Sequence, residues 1–231
     1  MCSSDLPLAS TEYQQLTTLA TGTNNNNWYV SSATLSGTAG QNISPNSLTL
    51  QGSGSLTLAA GSIFQPQAGI LAYGANNVIG GGPGFISMGT NGQNLYIAVT
   101  GSTSRLTLSS PLGYSSTSSP AGIDFFGDGT LELAAQGWLP RATYVNSGTL
   151  RLSGGLNTLM FSPMTAPAAT TVNTGIANQM PIYVSSGGVL DLSGNTQAVT
   201  GLWGNAASSA FPGSGGIITN SSTTTATLDR K

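Results

Sequence analysis

Three acidic residues, Asp124, Asp128 and Glu132, recur at four-residue intervals, and a fourth, Asp191, sits between two leucines further along the chain. Pairs of carboxylates carry out glycoside hydrolysis, one protonating the leaving oxygen while the other attacks or activates water. The spacing counts against that chemistry. Residues i and i+4 of an extended strand share a face but lie about 13 Å apart, too far for such a pair unless a turn folds them together. Asp128-Gly129 reads as a turn of this kind. The favoured reading of the cluster is solvated turn and outward strand positions, with a calcium or acid/base site as the rival. Asp191, flanked by Leu190 and Leu192, likewise reads as a surface residue. Two carboxyl groups within about 5–10 Å of each other in a cleft would restore the enzymatic reading.

Other side chains narrow the chemistry further. The chain has no histidine, so a histidine metal site, a Ser-His-Asp triad and a Cys-His dyad are all excluded. Cys2 is the only cysteine; it can form no internal disulfide, and no apolar stretch before it suggests lipidation. Trp28, Trp138 and Trp203, with seven tyrosines, are candidates for a sugar-stacking platform, although core and end-covering roles are favoured for most of them. Asn42-Ile43-Ser44 and Asn220-Ser221-Ser222 fit the glycosylation pattern, as chance alone provides in so Asn- and Ser-rich a chain. Gly80-Gly81-Gly82-Pro83-Gly84 reads as a flexible loop with no sign of a phosphate cradle. No catalytic, metal-ligating or cofactor-binding residue is assigned.

The elements that hold these residues follow from composition. The 231 residues carry 5 basic and 7 acidic side chains, a net charge of −2. Only 5% are charged, against roughly 25% in an ordinary soluble domain. Five cations cannot neutralise a phosphate backbone, so nucleic acid is excluded as a partner. Glycine numbers 32, Ser and Thr together 60, and Asn 17. A helical bundle or coiled coil is excluded by that composition. Low hydrophobicity combined with high net charge marks disorder, and this chain lacks the charge. It reads as folded, all-β and one domain. No apolar stretch is long enough to span a membrane as a helix. Met1–Ser10 lacks the basic and apolar regions of a signal peptide, which leaves a cytosolic chain or a secreted one whose leader lies outside this sequence.

The one helix candidate is Ser10–Ala20, with Ser10 as cap and Tyr13, Leu16 and Ala20 at helical spacing. Residues 1–27 form an N-terminal cap or extension, and 28–231 the main domain. Between Glu12 and Arg105 lie 92 consecutive uncharged residues. Ser47–Gln51, Ser55–Ala59, Asn94–Val99 and Arg105–Ser109 each alternate apolar and small polar residues, the period of a half-buried strand. Repeats then decide the architecture. Gly129–Ala134 (GTLELA), Gly148–Gly154 (GTLRLSG) and Gly188–Gly194 (GVLDLSG) are offset by 19 and 40 residues. A unit of about 20 residues with a two-leucine strand and a Gly-Ser turn is one coil of a β-solenoid, and 40 residues is two coils or one with a long excursion. Leu131/Leu133, Leu150/Leu152 and Leu190/Leu192 then stack as inward ladders, with Glu132 facing Arg151 outside.

Gly127–Leu152 (GDGTLELA … YVNSGTLRL) resembles the autotransporter-associated β-strand repeat, a G-x-G-T-L-x-L strand, a variable loop and a V-N-x-G-T-L-x-L strand. Gly187–Leu228 is similar to the module that often follows it in bacterial surface proteins. The resemblance covers about residues 123–228; the loop Asn157–Met180 is longer than the pattern, and no membrane β-barrel follows. It implies a right-handed parallel β-helix, exported by bacteria and displayed or released outside the cell. The expected function is accordingly non-enzymatic: an extracellular or cell-surface structural or adhesive protein, needing no cofactor. Its expected partners are further copies of itself, joined through solenoid ends into fibres, with glycans as second candidates. A carbohydrate-active β-helix enzyme is the alternative.

Overall fold

A computed structural model describes residues 13–19, 26–88, 94–114, 122–137, 139, 141–159, 181–204 and 215–230. The described residues hold strands and turns and no helix. The chain winds in coils, and each coil adds one strand to each of several faces. After β1 (Tyr13–Gln15), the first coil contains β2 (Asn27–Ser31), β3 (Thr34–Ser36) and β4 (Asn42–Ile43). The next three contain β5 (Ser47–Gln51), β6 (Ser55–Thr57) and β7 (Ile63–Phe64); β8 (Gly69–Tyr73), β9 (Asn76–Gly80) and β10 (Phe85–Met88); and β11 (Leu95–Thr100), β12 (Arg105–Leu108) and β13 (Leu112–Tyr114). Then come β14 (Ile123–Gly127), β15 (Thr130–Leu133), β16 (Thr143–Leu152), β17 (Pro181–Asp191), β18 (Gln197–Val199), β19 (Gly201–Gly204), β20 (Ile217–Thr219) and β21 (Leu228–Arg230).

Every pairing between these strands is parallel, which requires the chain to travel a full circuit between neighbours. The first face stacks β1-β2-β5-β8-β11-β14-β16, and the second stacks β3-β6-β9-β12-β15-β16. The long strand β16 belongs to both, joining them into one curled sheet. A third face stacks β4-β7-β10-β13. This is a solenoid-like parallel β fold.

The leucine ladders stand where the repeats place them: Leu131 pairs with Leu150 and Leu133 with Leu152, with Glu132 opposite Arg151. The longer offset is one coil with an excursion, since Gly148 pairs directly with Gly188 and Leu150 with Leu190. A register shift between Val145 and Ser147 puts the Tyr-Val segments one position out of step with the leucine strands: Tyr144 pairs with Tyr183, but Ser147 with Gly187.

Packing follows from alternation. Odd and even positions of each strand face opposite ways, so one set forms continuous inward columns. Trp28, Leu48, Ile70, Ile97, Phe125, Val145 and Val184 make one such column, all buried. Corners need backbone shapes that a side chain resists. Gly52 and Gly74 have φ of 70° and 88°, and a Cβ on Gly74 would sit 2.8 Å from the Gly52 backbone. Only glycine meets both demands. The Gly80–Gly84 segment also packs closely, with Gly82 and Gly84 against the Leu58 backbone.

The expected helix over Ser10–Ala20 is corrected. Its described part, 13–19, holds β1, with Tyr13 paired to Asn27 and Gln15 to Tyr29. The open edge of β2 offers the backbone a ladder partner, while the β-branched Thr17 and Thr18 weaken a helix. Leu16 and Leu19 are buried at this end of the core, and the buried Gln41 donates to the Leu19 carbonyl at 2.9 Å.

Candidate functional site

The acidic residues divide between separate places. Asp124 Oδ1, on β14 of the first face, accepts a 2.5 Å hydrogen bond from Asn146 Nδ2 on β16. The exposed Asp128, in the turn after β14, accepts from the Gly101 amide at 2.5 Å. Each carboxylate thus ties its coil to the adjacent one. Glu132 and Asp191 instead belong to a stripe of alternating charge on the second face: register aligns Glu132, Arg151 and Asp191 on β15, β16 and β17, and Arg105, two residues before the Thr107 that pairs with Glu132, reaches it from β12. Arg105 Nη1 lies 3.4 Å from Glu132 Oε2, and Arg151 Nε lies 3.8 Å from Glu132 Oε1 and 3.7 Å from Asp191 Oδ2. The two carboxylates are therefore within about 7.5 Å of each other. The guanidinium of Arg151 stands between them, where a hydrolytic pair holds substrate and water. Among the described residues, no group of three or more His, Cys, Asp or Glu is placed to hold a metal ion.

Asp191 corrects the expectation of a surface residue. It is only 4% exposed, although its side chain points away from the leucine core as the alternation requires. The turn after β20 covers it. Asp191 Oδ1 accepts from the Ser193 and Ser221 amides, both at 2.9 Å, and Oδ2 from the Ser221 hydroxyl at 2.6 Å. Burial by itself raises the carboxyl pKa. The Ser221 hydroxyl, the Ser221 and Ser193 amides and the charge of Arg151 outweigh burial and hold it below the ordinary carboxylate value. Asp191 is a structural clamp between β17 and the next turn. The sequence carries no local sign of this, because the covering residues come 30 positions later.

The tryptophans also separate. Trp28 is buried in the inward column, Trp138 lies outside the described residues, and Trp203 on β19 is 50% exposed. Of the two glycosylation triplets, Asn42 is exposed at the start of β4. Asn220 is exposed too, and its side chain is engaged with the Gly194 amide and the Thr224 carbonyl.

Sequence reading missed how the parallel register collects the tyrosines. Tyr96, Asp124, Tyr144, Tyr183 and Trp203 occupy one outward column across five successive strands of the first face. Tyr144 and Tyr183 stack with ring centroids 4.8 Å apart and planes within 14°. A Cβ on Gly201 would lie 2.6 Å from the Trp203 indole nitrogen, so the glycine lets that indole lie down against its own strand. Further along the same face, Tyr13, Tyr29, Tyr73, Thr49, Gln51 and Leu71 line a shallow cavity of about 330 Å³. The signal was present as the Tyr-Val pairs at 144 and 183, two equivalent positions of one repeat. No family model, curated protein or solved structure matches the chain.

Proposed function

We propose that this chain is a non-enzymatic structural or adhesive protein of a bacterial surface or the extracellular space, a right-handed parallel β-helix that joins further copies of itself end to end. The right hand is the one that parallel crossover connections adopt almost without exception. Membership among surface proteins carrying the autotransporter-associated repeat accords with the pairing of Leu131, Leu150 and Leu190 across β15, β16 and β17. A non-catalytic role accords with the carboxylates: Asp124, Asp128, Glu132 and Asp191 are each engaged with a residue of another coil.

The observation that carries self-association is the state of the ends. Ile218 belongs to the inward column of Leu131, Leu150 and Leu190, yet it is 42% exposed, and its neighbour Ile217 is 61% exposed. Among the described residues β20 pairs with β17 alone, and at the opposite end β1 pairs with β2 alone. An apolar core position and an unpaired strand edge together form a template for another parallel strand. Ends of opposite polarity give a head-to-tail contact that propagates without closing, and a net charge of −2 supplies little repulsion.

Light scattering over a tenfold concentration range tests this. The expected result is a mass that grows with concentration beyond the 23.2 kDa of one chain, reduced to one chain by Ile218→Lys. A single one-chain species at every concentration overturns the proposal.

A further inference from the structure

We infer that Tyr144 and Tyr183 form an oxidative cross-linking site, at which a peroxidase supplied with hydrogen peroxide joins the two rings into dityrosine. The residues are 39 positions apart in sequence, yet register sets them side by side on β16 and β17. Their rings stack with centroids 4.8 Å apart and planes within 14°. Of the seven tyrosines, these are the pair that the ladder brings together. The other five stand opposite asparagine, glutamine, threonine, glycine, aspartate or methionine. Both rings point outward and are half-buried, within reach of an oxidant at the surface. The next residues on the two strands, Val145 and Val184, are buried in the core and hold the backbone beneath the stack.

The chemistry uses the stack directly. Each phenol gives up an electron to the oxidant and a proton to water, leaving two phenoxyl radicals with unpaired spin on the ring carbons beside the oxygen. The radicals pair to form a Cε–Cε bond. Each bonded carbon then releases its hydrogen as a proton and each oxygen takes one up, which restores both aromatic rings. The chain loses two hydrogens, and one hydrogen peroxide is reduced to two waters. Radical pairing starts from overlapping ring faces, so the stack is already the encounter geometry, and two groups held in contact react without the entropy cost of meeting. The bond staples β16 to β17 across the long excursion between them, and closing so long a loop restricts the unfolded chain far more than the folded one. The inference stands on this one register pair and not on the exposed ends, so it can fail while end-to-end stacking holds.

The test treats the dilute whole chain with a haem peroxidase and hydrogen peroxide, then isolates the species of one-chain mass on a denaturing gel. Dityrosine fluorescence is expected in that species. Mass spectrometry of its digest is expected to find the peptides carrying Tyr144 and Tyr183 joined with the loss of two hydrogens. The fluorescence is expected to fall at least tenfold in Tyr144→Phe and in Tyr183→Phe, which keep a ring in the stack, and to be unaltered in Tyr96→Phe. Far-UV circular dichroism establishes that each variant is folded. A parent chain unfolded in urea before treatment is expected to lose the Tyr144–Tyr183 link. Absence of that link from the folded parent overturns the inference. So does an equal yield of it from the unfolded chain.

Discussion

Asp191 illustrates how a single residue in a repeat acquires a role its neighbours lack. Its equivalents on the two preceding strands of the second face, Arg151 and Glu132, remain partly exposed, with side chains at 30% and 13%, whereas Asp191 is covered and takes three hydrogen bonds. Those bonds favour the charged form, so the native carboxyl has a lower pKa than the unfolded one. A depressed carboxyl contributes stability above the unfolded value of about 3.9 and loses it as pH falls through the native value. In melting curves from pH 7 to pH 2, Asp191→Asn is expected to lie below the parent at neutral pH, with the gap narrowing below about pH 4. A gap independent of pH contradicts the role given to the charge. Alternation placed this side chain on the outer surface correctly. Its burial was illegible because depth depends on the 219–222 turn, which no pattern around position 191 announces.

At the scale of strands, legibility followed regularity. Ser47–Gln51 coincides with β5, and Arg105–Ser109 with β12 apart from its last residue. The 19-residue repeat anticipated the pairing of β15 with β16 down to the residue, whereas the 40-residue offset left open whether β17 lies directly beside β16, as it does. The third face escaped notice because its strands are two to four residues long, too short for a period to emerge. The N-terminal strand was misread as helix because three apolar positions at helical spacing say nothing of the unpaired edge waiting at β2. The inside/outside assignment makes a sharp prediction. Leu150→Asp removes roughly 2–5 kcal/mol of packing and buries an unpaired carboxylate between Leu131 and Leu190, so no folded protein is expected by circular dichroism. Thr149→Asp, one position away and outward, is expected to melt within a few degrees of the parent. Equal outcomes for the two variants contradict the assignment.

For the whole molecule, sequence separation and distance are decoupled. Successive strands of the first face start at Asn27, Ser47, Gly69, Leu95, Ile123, Thr143 and Pro181. The coils between them differ in length, the last by a long excursion, yet each step adds one strand spacing. Insertions accumulate in the loops and leave the ladder intact, as expected where each coil contacts only its neighbours. The proposed stacking depends on that ladder, so its register is the central claim. Spin labels on cysteines test it in a Cys2→Ser background. Thr34, Thr107 and Thr219 lie in one outward column, Thr107 three strands from Thr34 and Thr219 seven. At about 4.8 Å per strand the labelled backbone positions stand about 14 Å apart for Thr34→Cys/Thr107→Cys, about 19 Å for Thr107→Cys/Thr219→Cys and about 34 Å for Thr34→Cys/Thr219→Cys, and the pulsed electron–electron distances are expected to rise in that order. Distances that do not rise with the number of intervening strands contradict the solenoid.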